Sequence, residues 1–270
     1  MRHLIRLIAF LLVLACIPFA YAENTESKER LDDKVLLSFY DDSAFFGDSR
    51  MENFRRYVDD IKQKDPSFLG KTKIICTGSI SLQAASKNAP LGNYQFSYAG
   101  RKLSMYGVAQ KLAQKGPLDK VFILVGLNDP IAAKPDKGIG YVGDIITRMK
   151  KFLPDTVVYF FSETPVTENF ATEKARPEYQ DQLDVYNARL REYCESNGAH
   201  YIEIAEALKG EDNLLKLEYS NDKVCHLNEE GIAVWIESMK DYAQQQYELG
   251  LWDPFEEESE ESETSEEPET

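Results

Sequence analysis

The segment Val121-Phe122-Ile123-Leu124-Val125, followed at once by Gly126-Leu127-Asn128-Asp129, decides the fold. Five successive apolar residues closed by a glycine turn read as a strand covered on both faces, the habit of parallel sheets held between helices. The same punctuation recurs on either side. Further strands are expected at Ala44–Phe46, Lys73–Cys76, Thr156–Phe161 and Tyr201–Ile204, and helices at Met51–Lys62, Leu103–Gln114, Asp144–Phe152, Tyr179–Ser196 and Glu229–Tyr247. Strands alternating with helices specify a three-layer α/β sandwich around a central, mostly parallel sheet, here spanning residues 34–253. In the last helix Ile232, Trp235, Ile236 and Met239 share one side, which assigns Trp235 to the core. Ligands of such sheets bind beyond the carboxyl ends of the strands, so polar residues just after strands are the candidates for chemistry.

The two ends have different compositions. Arg2 and Arg6 precede an apolar run from Leu7 to Pro18, and Ala20-Tyr21-Ala22 offers small residues for cleavage before Glu23. Residues 1–22 therefore read as a secretory signal peptide, too short in its apolar part to span a bilayer. Val13-Leu14-Ala15-Cys16 leaves acylation of Cys16 as an alternative. Residues 23–33 are polar and read as a flexible leader, and residues 254–270 as an acidic disordered tail with nine Glu and no base. The expected location is secreted, periplasmic or cell-surface, with no stable membrane insertion after cleavage.

Composition narrows the function. The chain has 270 residues, 43% of them hydrophobic, enough for one sizeable core. Its formal charge of −15 argues against nucleic acid, whose phosphates call for a basic face. Three cysteines follow the signal segment, Cys76, Cys194 and Cys225, an odd count that excludes a disulfide scaffold. The absence of any Asn-x-Ser/Thr sequon fits a bacterial secreted protein.

Three blocks fall at strand ends. Gly47-Asp48-Ser49-Arg50 follows the first strand and opens a helix, where Asp48 and Ser49 read either as ordinary N-caps or, for Ser49, as a hydroxyl presented at the sheet rim. Asn128, in the block after Val125, is either a turn residue or an amide donor able to meet an oxyanion. Of the histidines beyond the signal segment, His200 opens a strand and reads as structural, whereas His226 lies in the loop Asn221–Gly231 entering the last helix. Asp222 is placed there to orient one imidazole nitrogen while the other faces the rim.

Taken together and in this order, the blocks resemble the SGNH or GDSL-type hydrolases, over nearly the whole mature domain. The resemblance implies a flavodoxin-like three-layer fold and a serine esterase with no cofactor. It implies Ser49 as nucleophile, His226 as base, Asp222 as its orienter, and an oxyanion hole formed by the Ser49 N–H, Asn128 and a glycine after the second strand. Gly100 is the chosen glycine, with Gly78 and Gly92 as alternatives. Two departures stand out. Asp222 precedes His226 by four residues where the family spacing is three, and Arg50 stands where the GDSL tetrapeptide has Leu. Arg50 is open to an anionic substrate group or a surface ion pair.

The expected substrate is a small acyl ester, such as an O-acetyl group on carbohydrate or cell-wall polymer. Acyl transfer would use the same residues, and a non-catalytic binding or surface protein retaining the fold is the rival that the shifted Asp222 and the acidic tail favour. Other motifs fail on context. Gly138-Ile139-Gly140-Tyr141-Val142-Gly143 matches a dinucleotide fingerprint but lies far from the preceding strand end, and Gly70-Lys71-Thr72 leads into a strand. The cysteines and histidines show no paired metal-ligand spacing. Cys225 is expected to diverge from its neighbour His226 as a buried free thiol.

Overall fold

The computed structural model describes residues 29–88, 95–170 and 176–255. The signal segment, Cys16, residues 23–28 of the leader, Gly92 and residues 256–270 of the tail lie outside the described residues. Contacts divide the chain into Met1–Leu31 and a unit beginning at Asp32.

That unit carries β1 (Ser43–Gly47), β2 (Lys73–Cys76), β5 (Lys120–Leu124), β6 (Val157–Phe161) and β7 (His200–Ile202) in one parallel sheet of order β2-β1-β5-β6-β7. The helices are α1 (Asp33–Ser38), α2 (Ser49–Lys62), α3 (Leu82–Ala85), α4 (Met105–Ala113), α5 (Pro135–Phe152), α6 (Arg176–Asn197) and α7 (Glu229–Glu248). A two-stranded antiparallel hairpin, β3 (Phe96–Tyr98) and β4 (Arg101–Leu103), precedes α4. The chain leaves β1 for β2 on one side and later returns to β5 on the other. The winding therefore reverses between β1 and β5, the place at which sheets of this kind bind ligands beyond the strand ends.

Alternate residues of the strands feed two cores. Ala44, Phe46, Val121, Ile123, Val158 and Phe160 join one buried cluster. On the opposite face Phe45 packs on Phe122 at 4.7 Å, and Phe161 meets Trp235 of α7 at 5.3 Å. Trp235 is fully buried, as its helical spacing predicts. His200 is structural as expected, stacked on Tyr159 at 4.7 Å.

Several elements differ from expectation. The expected leader ends inside structure, because Asp32 caps α1 through a bond from the Lys34 N–H. Helix α5 starts at Pro135, nine residues before the expected Asp144, and contains the whole glycine motif Gly138–Gly143. Two of its glycines serve packing: a Cβ at Gly138 would stand 2.7 Å from the Tyr186 ring of α6, and one at Gly143 2.5 Å from the Tyr193 hydroxyl. Leu103 is not in a helix but ends β4, since Ser104 is the N-cap of α4 and accepts the Gly107 N–H. Three-residue strands are too short to display the alternation from which a strand is read.

Candidate active site

Only Asp48 separates β1 from α2. Its carboxylate caps the helix by accepting the Arg50 N–H at 3.0 Å, which leaves Ser49 as the first helical residue at the positive end of the helix dipole. The capping role thus falls to Asp48 and not to Ser49. The Ser49 Oγ lies 2.8 Å from Nε2 of His226, 177 positions later in the chain. Nδ1 of the same ring lies 2.5 Å from Oδ2 of Asp222.

The second carboxylate oxygen of Asp222 organises the loop that holds this pair. It accepts the N–H groups of Val224, Cys225 and His226 at 2.8, 3.0 and 3.2 Å and the Ser220 hydroxyl at 3.1 Å. Lys223 sits in the left-handed region at φ +60°, a tight turn between Asp222 and His226. The loop is fastened from outside as well. Thr167, after β6, donates through Oγ1 to the Lys223 carbonyl at 2.6 Å, and Asn53 of α2 donates to the Leu227 carbonyl at 3.1 Å.

Burial opposes the Asp222 charge, but His226 and the three backbone N–H groups hold its carboxyl well below the usual carboxylate range. The Cys225 sulfur and, against partial burial, the Asp222 carboxylate push His226 up to about 9. Cys225 does not diverge from its neighbour as expected. Its Sγ stands 3.8 Å from Nδ1 of His226, and the residue is half-buried, because the loop curls around Asp222 and turns both side chains to one side.

Asn128 lies beyond β5, the strand next to β1, and donates one amide hydrogen to the Ile80 carbonyl at 3.0 Å. Asp129 beside it accepts the N–H groups of Leu82 and Gln83, so the loop after β5 is clamped to the first turn of α3. Gly100 is not in the loop directly after β2. It forms the exposed tip of the β3–β4 hairpin at φ +72°, where two successive positive φ values, at Ala99 and Gly100, close a two-residue turn. Gly78 occupies the loop after β2, and a Cβ there would stand 3.5 Å from the carboxylate of Glu52, a residue in the first turn of α2.

Arg50 is neither a surface ion pair nor open to substrate. It is 2% exposed, grips Asp48 through Nε at 3.0 Å and through a terminal nitrogen at 2.7 Å, and pairs with Glu163 at 2.7 Å. Its other terminal nitrogen donates to Thr164 Oγ1 at 3.1 Å. Glu163 follows β6, and burial pushes its carboxyl up to about 7 against the pull of Arg50. A Cβ at Gly126 would overlap the Glu163 carboxylate, so the glycine after β5 is what lets this acid reach Arg50. The Ser49 turn and the Asn128 loop are joined by one buried ionic group.

The family model for GDSL-like lipases and acylhydrolases matches residues 45–234, a span that contains Ser49, Asn128, Asp222 and His226. The chain belongs to that family. Among solved structures, a GDSL-like lipase of Bacteroides thetaiotaomicron superposes with a TM-score of 0.53 at 15% identity, over 75% of this chain and 87% of that one. An acetyl xylan esterase superposes with a TM-score of 0.50 at 17% identity, over 74% and 98%. At these identities the likeness is one of fold, the central parallel sheet flanked by helices. No curated protein matches the sequence. Within this GDSL-like fold, the residues that reading for motifs passed over are Glu163 and Thr164. Both stand just after a strand, the position that marks Ser49 and Asn128, but they lack a motif of their own.

Proposed function

We propose that this GDSL-like protein is an exported bacterial serine esterase that removes small acyl groups, acetyl foremost, from carbohydrate or cell-wall polymer. The observation that carries the reading is the hydrogen-bonded chain from Ser49 Oγ through both nitrogens of His226 to Asp222. In the proposed reaction, Ser49 attacks the acyl carbonyl while Nε2 takes its proton, and Asp222 stabilises the imidazolium. The oxyanion receives the Ser49 N–H, the free Asn128 amide hydrogen and a glycine N–H, for which Gly78 is better situated than Gly100. The departing alkoxide takes the proton from His226. Water activated by the same imidazole then cleaves the acyl-enzyme.

Exposure supports a small acyl group on a large carrier. The Asp222 and His226 side chains are 34% and 30% exposed, and Asn128 is exposed, an open rim onto which a polymer can settle. The acetyl xylan esterase of like fold is consistent with that substrate class. The four-residue spacing that favoured a non-catalytic protein leaves Asp222 within hydrogen-bond reach of His226, so that ground falls away.

The test is hydrolysis of nitrophenyl acetate through octanoate and of acetylated xylan by the full chain. Ser49→Ala and His226→Ala are expected to lose about 10³-fold or more in kcat, and Asn128→Ala about 10²-fold with KM little changed. Undiminished activity in Ser49→Ala overturns the reading. Export is tested by the N-terminal sequence of the protein recovered outside the cytoplasm, expected to begin at Glu23.

A further inference from the structure

We propose that Asp222, Cys225 and His226 form an inhibitory site for a soft divalent cation such as zinc. The inference rests on reading Ser49 and His226 as nucleophile and base, and it concerns the regulation of that same site. A carboxylate oxygen, a thiol sulfur and Nδ1 lie within 4.8 Å of one another, all from one loop and all partly open to solvent. Sulfur, imidazole nitrogen and carboxylate oxygen are the donor set that zinc prefers, and three protein ligands leave one position for water.

The spans suit this exchange. Bond lengths to a tetrahedral zinc place sulfur and nitrogen ligands about 3.6 Å apart. The Sγ to Nδ1 distance is 3.8 Å, so that pair needs almost no movement. The Asp222 oxygen and Nδ1, 2.5 Å apart, are at the span of a shared proton, and a cation in place of that proton moves the carboxylate outward. Asp222 retains its backbone N–H partners through the other oxygen, Oδ1, while Oδ2 swings.

The consequence for chemistry follows from the tautomer. In the resting enzyme with a neutral imidazole, Nδ1 carries the proton and Nε2 accepts from Ser49. A cation on Nδ1 displaces that proton to Nε2, and the Cys225 thiol releases one proton to solvent on forming the thiolate bond. The Nε2–H can then only donate to Ser49 Oγ, at the same 2.8 Å. The base is lost while the fold and the substrate rim stay as they were.

The experiment titrates the full chain with cadmium chloride and follows the ultraviolet thiolate-to-cadmium charge-transfer band, then repeats ester hydrolysis with zinc chloride. Each variant is scored against its own rate in chelator. The band is expected in the unmutated protein, in Ser49→Ala and in Cys76→Ser, and to vanish in Cys225→Ser. The zinc concentration giving half inhibition is expected to rise at least tenfold in Cys225→Ser. A band that survives in Cys225→Ser, or unchanged zinc sensitivity in that variant, overturns the proposal. A band that depends on Cys225 in a protein without esterase activity upholds the cation site and overturns the esterase reading instead.

Discussion

Asp222 precedes His226 by four residues, and its Oδ2 lies 2.5 Å from the imidazole Nδ1. The left-handed Lys223 and the three N–H bonds to Oδ1 fold the intervening residues so that the carboxylate reaches the imidazole across four positions. Asp222→Asn keeps the shape but offers an amide in place of a carboxylate, which disfavours both the working tautomer and the imidazolium. Steady-state kinetics on a nitrophenyl ester should show kcat lowered by about 10²–10⁴-fold with KM nearly constant. A loss below threefold would remove Asp222 from the mechanism.

The pH profile should betray the Cys225 sulfur. With His226 pushed up to about 9, the base is protonated at neutral pH, so kcat/KM measured in chelator should climb through an acidic limb well above the ordinary histidine range. Cys225→Ala removes the first cause of the shift, and the limb should move toward neutrality. The linked stability runs the other way: because the folded value is raised, the contribution of His226 is complete below about pH 6.5 and lost as pH rises through about 9.

Arg50 holds two carboxylates in the interior, so replacing it with the Leu of the GDSL tetrapeptide should be harmful rather than restorative. Arg50→Leu leaves Asp48 and Glu163 without their cation and should cost about 3–5 kcal/mol in denaturant unfolding. Adding Glu163→Gln to that variant removes one buried charge and should recover part of the loss. Purely additive losses in the double variant would contradict the shared network.

The hairpin makes a contrasting case. Ala99 adopts φ +49° at a turn position where Asn is favoured, and it is exposed. Ala99→Asn should raise stability by about 0.5–1 kcal/mol, read as a higher Tm, and leave kcat unchanged. A fall in kcat would instead draw Gly100 back toward the oxyanion.

The sheet was legible because Val121–Val125 and its neighbours are apolar on both faces, and the site because Ser49, Asn128 and His226 each stand at a punctuation between elements. What escaped is what short-range pattern does not encode. Arg50 looks like a surface residue in sequence, since its burial depends on Glu163, 113 positions away, and on the absence of a side chain at Gly126. The start of α5 was hidden because Gly138 and Gly143 read as loop residues, whereas they are the places where Tyr186 and Tyr193 of α6 press against the helix. The Cys225 contact depends on a loop curvature set by one left-handed residue.

Asp222 and His226 move as one. Asp222 and His226 belong to a single loop stitched by the Ser220–Leu227 bridge and the Asn221 to His226 backbone bond, while Ser49 belongs to another helix. When the entry to α7 opens as a local unit, the pair withdraws intact and Ser49 stays behind. Inactivation on gentle warming should therefore begin as a reversible parting of Ser49 from an imidazole that keeps its carboxylate. Amide exchange in residues 220–228 would quicken before any of the sheet is lost.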